Sequence, residues 1–168
     1  MPNQDLDPIL ERIQKLAEEI ETFVPQDARN VQFRADLGGL LVVAITASYE
    51  SCVKETLVGY AGRHNAKFQQ FAQNQYARLS SRIKIDDLKN YAKLCDDPIR
   101  NKFAENLKDR KKRISLWTGV NIVDAYEQML RWRNDYAHEG LRNTTVEEAL
   151  KTHRHARHVL YAYHESFA

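Results

Sequence analysis

Between Asp36 and Glu50 lie thirteen residues without a charge, Leu37 to Tyr49, and the stretch from Leu40 to Ala47 is apolar on every side of a helical wheel. A helix of that kind cannot lie half in water, because each exposed stripe would forfeit the hydrophobic gain of burial. The rest of the chain must wrap around it. Gly and Pro number only six and four, no stretch alternates apolar and polar residues at period two, and Ala, Leu, Glu, Gln, Lys and Arg dominate. The expected fold is therefore all-α: a single-domain antiparallel bundle of about six or seven helices, with the central one covering about Val31 to Gly62.

The peripheral helices follow from apolar spacing and end signals. Ile9, Ile13, Leu16, Ile20 and Phe23 recur at helical intervals, so a first helix runs from Asp5 or Asp7 to Phe23, closed by Pro25. Shorter helices are expected over Ala66 to Arg78, Ile85 to Cys95 and Pro98 to Lys112. A sixth runs from about Asn121 to His138 and stops at Gly140, a residue that tolerates the left-handed conformation. A seventh starts at Thr144 with the capping box Thr144-x-x-Glu147 and continues to about Phe167.

Composition limits the function classes. At 168 residues the chain fits one domain, with enough core to need no covalent staple. Cys52 and Cys95 lack the number and spacing of a disulfide framework or zinc site and read as reduced thiols. Met1 to Gln14 is polar and acidic, unlike a secretory signal, and thirteen uncharged residues fall short of a bilayer span, so no membrane is expected and the location is cytoplasmic. A net charge of +2 gives no global drive toward nucleic acid, so any basic patch must be local.

The chemistry concentrates between Arg131 and Gly140. At about 100° per residue, Ile122, Tyr126, Met129, Leu130, Trp132, Tyr136 and Ala137 share one apolar arc, and Arg133 falls at its centre. Two readings compete for that guanidinium. It pairs internally, with Glu50 on the central helix as the obvious carboxylate, or it faces a cleft where its forked donors hold phosphate oxygens. His138 lies five residues on, near the helix end, where an imidazole titrates in the physiological range and can move a proton. Asn134, one turn before it, can orient His138 or a bound phosphate. An unbroken helix would point Arg133 and His138 well apart, so cooperation requires the helix to stop or a second subunit to contribute.

The string Arg133-Asn134-Asp135-Tyr136-Ala137-His138-Glu139-Gly140 resembles the signature of HEPN domains, in which an Arg and usually a polar residue precede a His by four to six intervening positions. Three Arg–His pairs here satisfy that spacing, and only Arg133 is followed by Asn, with Ala before the His and Gly soon after. An apolar helix ending in Tyr49-Glu50, followed by the distal motif, is similar to the RiboL-PSP branch of that superfamily, over roughly Arg34 to Phe167. The resemblance implies a metal-independent endoribonuclease acting as a homodimer without cofactor, with Arg133, Asn134 and His138 catalytic. It further implies a toxin or defence role, with an antitoxin or regulatory protein as a possible partner. Members of the superfamily also serve as inert binding or regulatory modules, and that is the alternative function.

Other features have plainer readings beside the functional one. Lys108 to Arg113 is a run in which Lys111, Lys112 and Arg113, together with Arg131, are candidate RNA contacts, although a solvated helix end is the commoner meaning. His153, His155 and His158 are interleaved with Arg154 and Arg157, which would repel a bound cation, and no clustered carboxylates suggest a magnesium nuclease. Trp132, Tyr136 and Tyr163 fall at helical intervals with other apolar residues and read as packing.

Overall fold

The computed structural model describes residues 6–24, 26–27, 29–77, 79 and 82–168. Its described residues form seven helices and no strand: α1 (Asp7–Phe23), α2 (Val31–His64), α3 (Ala66–Gln75), α4 (Ile85–Cys95), α5 (Asp97–Thr118), α6 (Ile122–Glu139) and α7 (Val146–Ser166). α2 is the axis, touching α1, α3, α6 and α7, while α6 and α7 form an antiparallel hairpin and α5 packs on α7 and α4. One continuous core takes residues from every helix but α3; Leu41, Val42, Ile45, Tyr49, Val53 and Leu57 supply the α2 share and are essentially inaccessible. By length and composition alone α2 could cross a membrane, yet half of its apolar window is buried against its neighbours, as in the core helix of a bundle.

Local rules set most boundaries. The Asn121 side chain accepts from the Val123 N–H at 3.1 Å and caps α6. α5 runs six residues past the expected end at Lys112, because the charged run is helical and, Arg110 apart, solvated, and the stop is Gly119 in the left-handed region at φ 72°. α3 ends earlier than expected, at Gln75, and Arg78 lies outside the described residues, as do Asp5 and Pro25. The cap of α7 sits one residue later than the box read from sequence. Thr145 accepts from the Glu148 N–H at 3.2 Å, while the buried Thr144 donates its hydroxyl to the Glu148 carboxylate at 3.2 Å.

The central helix is less enclosed than its sequence implies. Leu41, Val42, Ile45 and Thr46 are sealed, but Leu40 is 53% exposed and Ala47 also faces solvent. At 34 residues α2 outruns the helices around it and leaves one edge open. Two adjacent glycines explain how α6 reaches this helix at all. A Cβ on Gly39 would lie 2.1 Å from the Tyr136 ring, and one on Gly38 would lie 2.7 Å from the Thr144 carbonyl oxygen. The Gly38–Gly39 pair therefore accepts a cost in helix propensity so that the end of α6 and the turn after it can lie directly on α2. Gly39→Ala is expected to lower stability by ~1–3 kcal/mol through overpacking. Adding Tyr136→Ala should return part of that loss in a denaturant titration, since it removes the ring that the new methyl meets.

Candidate functional site

The end of α6 carries the Arg133 to His138 motif and is fixed by backbone geometry. Gly140 takes φ 66°; its N–H donates to the Tyr136 carbonyl at 3.0 Å, and the Leu141 N–H donates to the Asp135 carbonyl at 3.3 Å. These two bonds satisfy carbonyls that the helix would leave unpaired and stop it where the sequence places the stop. Ile122, Tyr126, Met129, Leu130 and Trp132 are buried as the wheel requires, but Tyr136 is half-buried and Ala137 is exposed. The last turn of α6 thus projects beyond the core, which corrects the expectation that the whole arc is covered. Arg133 stands where the core gives way to solvent.

Arg133 is half-buried as a residue, and its exposed guanidinium donates from Nη1 to Asn134 Oδ1 at 3.1 Å, so neighbours in sequence form one polar unit. Glu50 is half-buried on α2. Burial, with smaller help from Cys52, Asp87 and Glu50, pushes the Tyr126 phenol well above its ordinary range, which places the Glu50 carboxylate in the field of α6 two turns before Arg133. His138 is exposed. Because α6 is unbroken to Glu139, Arg133 and His138 leave the axis about 140° apart and do not converge within one chain. Asn134 and His138, about 40° apart, lie on the same side of the helix.

Asn134 and Arg131 border a shallow groove of about 530 Å³, whose opposite wall is Lys84, Asp86 and Lys89 from the start of α4. Arg131 is exposed and donates to Gln128 Oε1 at 2.7 Å. Lys111, Lys112 and Arg113 are exposed on α5, which touches α6 only lightly, so the structure does not gather them with Arg133. The histidines of α7 turn to different neighbours, and Nδ1 of His164, a fourth beyond the three singled out in the sequence, meets the Thr56 hydroxyl at 3.0 Å. Nδ1 of His153 meets the Tyr49 hydroxyl at 2.9 Å, and Nδ1 of His158 faces Arg110 at 3.4 Å. Among the described residues no group of three His, Cys, Asp or Glu side chains is placed to hold a metal ion.

Sequence reasoning missed the polar pair inside the core. Tyr49 stacks on Tyr126 with ring centres 5.4 Å apart and bonds to His153, which is 4% exposed. Desolvation, reinforced by Arg157 and Arg154, holds the His153 imidazole down at about 4, so it is neutral and joins α2 to α7. The signal was present: His153 lies at helical spacing with Ala149, Ala156 and Leu160, all buried. A second connector is Arg34, whose guanidinium donates to the Val24 carbonyl of the segment after α1 at 2.5 Å and to Glu21 of α1 at 2.7 Å. It also reaches Glu147 of α7 at 2.5 Å.

Neither a curated protein nor a solved structure matches the chain. A family model does, over residues 8–168, and it covers the end of α6 together with every other helix of the bundle except the first residue of α1. The seven-helix fold, the helix end carrying Arg133-Asn134 and His138, and this match over nearly the whole length agree: the chain belongs to the RiboL-PSP-HEPN family, a placement that points to a nuclease-like or RNA-related module.

Proposed function

We propose that the protein is a metal-independent endoribonuclease whose active site is shared between two copies of the chain. The observation that carries this reading is the end of α6: a solvent-facing guanidinium held by Asn134, with His138 about 140° away on the same helix. A single chain cannot bring both to one phosphate. Two α6 ends related by a twofold axis can, since each surface patch then meets its own copy. The open edge of α2 supports such a contact, because the exposed Leu40 follows Gly39, on which Tyr136 of α6 lies, and Leu141 just beyond α6 is also exposed.

In the proposed reaction His138 takes the proton from a ribose 2′-hydroxyl, whose oxygen bonds to the adjacent phosphorus. The bond from phosphorus to the 5′-oxygen then breaks, and that oxygen receives a proton from water. One product ends in a 2′,3′-cyclic phosphate and the other in a 5′-hydroxyl, so atoms balance without a metal or cofactor. Arg133 stabilises the charge gathering on the phosphorane oxygens, Asn134 fixes its direction, and Arg131 contacts neighbouring phosphates. Glu50 is assigned an ion-pairing role that supports Arg133 from α2.

The same reading makes the protein a cytoplasmic toxin or defence RNase, restrained by an antitoxin or another regulatory protein. Incubation of the purified protein with structured RNA, with product ends analysed for cyclic phosphate, tests the chemistry. Light scattering tests the dimer. A stable dimer that leaves RNA intact at every protein concentration would instead identify an inert partner-binding module of the same family.

A further inference from the structure

We infer that the groove between the end of α5 and the middle of α7 is a binding subsite for single-stranded RNA, separate from the α6 end, with Trp117 as its stacking platform. The groove has a volume of about 370 Å³ and is lined by Arg113, Ile114, Trp117, Arg154, His155 and His158. Trp117 is 87% exposed and Leu116 is 76% exposed, an unusual placement for the two largest apolar side chains of a helix's last turn. Trp132, the second tryptophan, is buried at 9%, so packing accounts for one indole and not for the other.

Charge decides which partner suits the indole. No Asp or Glu occurs from Arg110 to Val123 or from Ala149 to His164, and these two segments supply the helices that face each other across the groove. They carry Arg110, Lys111, Lys112, Arg113, Lys151, Arg154 and Arg157; of these, Arg110 is engaged by Glu165. A chain with a net charge of +2 therefore concentrates positive charge in these two segments, of which Arg113 and Arg154 line the groove. Burial, reinforced by Lys151 and Arg154, lowers the His155 imidazole, and burial reinforced by Arg110 and Arg157 holds His158 at about 4, so both contribute flat rings rather than further cations. An exposed indole between guanidinium groups, beside flat imidazoles, matches what a base and its flanking phosphates require. An acidic peptide would use the cations and leave the indole idle. The choice of RNA over DNA rests on the proposed ribonuclease reading; the binding itself does not require cleavage.

The test uses the full chain carrying His138→Ala, so that substrate survives, titrated with an oligouridine of about twelve nucleotides. Trp117 is the exposed fluorophore, and saturable quenching of its emission is expected. Trp117→Ala, followed by anisotropy of a labelled oligouridine, should weaken binding about tenfold, and Trp117→Phe should weaken it less. Arg113→Ala and Arg154→Ala should each lower the slope of log affinity against log salt by roughly 0.7. Trp117 is solvent-facing in the last turn of α5, so circular dichroism of the variant should match the parent. Unchanged affinity in Trp117→Ala, or equal competition by a polyglutamate peptide of the same charge, overturns the subsite. So does conversion of a dimer to a monomer by Trp117→Ala, which would reassign the groove to a subunit contact. Any of these results leaves RNA cleavage by the unsubstituted protein standing, so the two readings fail separately.

Discussion

Replacing His138 by Ala is expected to slow RNA cleavage by about a hundredfold or more, the range over which a positioned acid or base contributes. Thermal stability should be unchanged. His138 is exposed, takes part in none of the bonds that end α6, and is followed by a stop built from Gly140 and Leu141 backbone groups. Its loss therefore removes an imidazole without removing packing. Arg133 should behave differently from a simple positive charge. Its Nη1 is tied to Asn134 at 3.1 Å, which leaves the remaining donors of a planar fork in a fixed direction. Arg133→Lys keeps the charge and loses the fork, so it should recover little of the loss seen in Arg133→Ala. Initial rates on one structured RNA, measured at equal dimer concentration, compare all three variants.

Acidification is expected to remove about 3 kcal/mol of stability through one buried side chain, His153. In the folded protein its imidazole titrates at about 4, because burial and the nearby Arg157 and Arg154 disfavour the cation, whereas an unfolded chain titrates near 6.5. A base whose folded value lies below its unfolded value contributes stability that is fully present above about 6.5. That contribution is lost as the pH falls from about 6.5 toward 4, and below that value the slope from this group ends. Urea titrations across the window should show the decline. His153→Gln, which keeps a polar side chain near the Tyr49 hydroxyl and cannot titrate, should remove the His153 share of the slope and leave that of His158, which also titrates at about 4, while lowering stability at neutral pH. A slope that persists unchanged in His153→Gln would assign the acid sensitivity elsewhere.

The sequence disclosed the bundle because its signals were local. Apolar residues at helical spacing located α1 and α6, Ile85–Cys95 coincided with α4, and the Asn121 and Gly140 ends of α6 needed only the chemistry of neighbouring residues. Errors arose where solvent or a partner helix decides. The run Lys108 to Arg113 reads as a helix end and is a continuing helix, solvated apart from Arg110, with Gly119 the true stop. Ala137 looked buried on the wheel and is exposed, since the wheel gives direction but not where the neighbouring helix ends. Leu40 shows the same limit from the side of α2.

The site divides along the same line. Arg133, Asn134 and His138 are visible as a motif, and the match over residues 8–168 bears out the family that the motif suggested. Pairing between distant segments is not visible. The Tyr49–His153 bond joins residues 104 apart in the chain, and Trp117 acquires meaning only when α7 brings Arg154 beside it. The divergence of Arg133 from His138 was foreseeable from helix geometry, conditional on α6 continuing through Glu139, which the structure supplies.

Complementation between two inactive variants tests the shared cleft most directly. Arg133→Ala and His138→Ala proteins, each inactive alone, are mixed, unfolded together and refolded so that subunits exchange. If every site takes Arg133 from one copy and His138 from the other, half the dimers are mixed and each mixed dimer holds one intact site, which restores about a quarter of the original cleavage rate. Failure to recover any cleavage, with mixed dimers shown to be present by mass, would contradict an active site assembled from two chains.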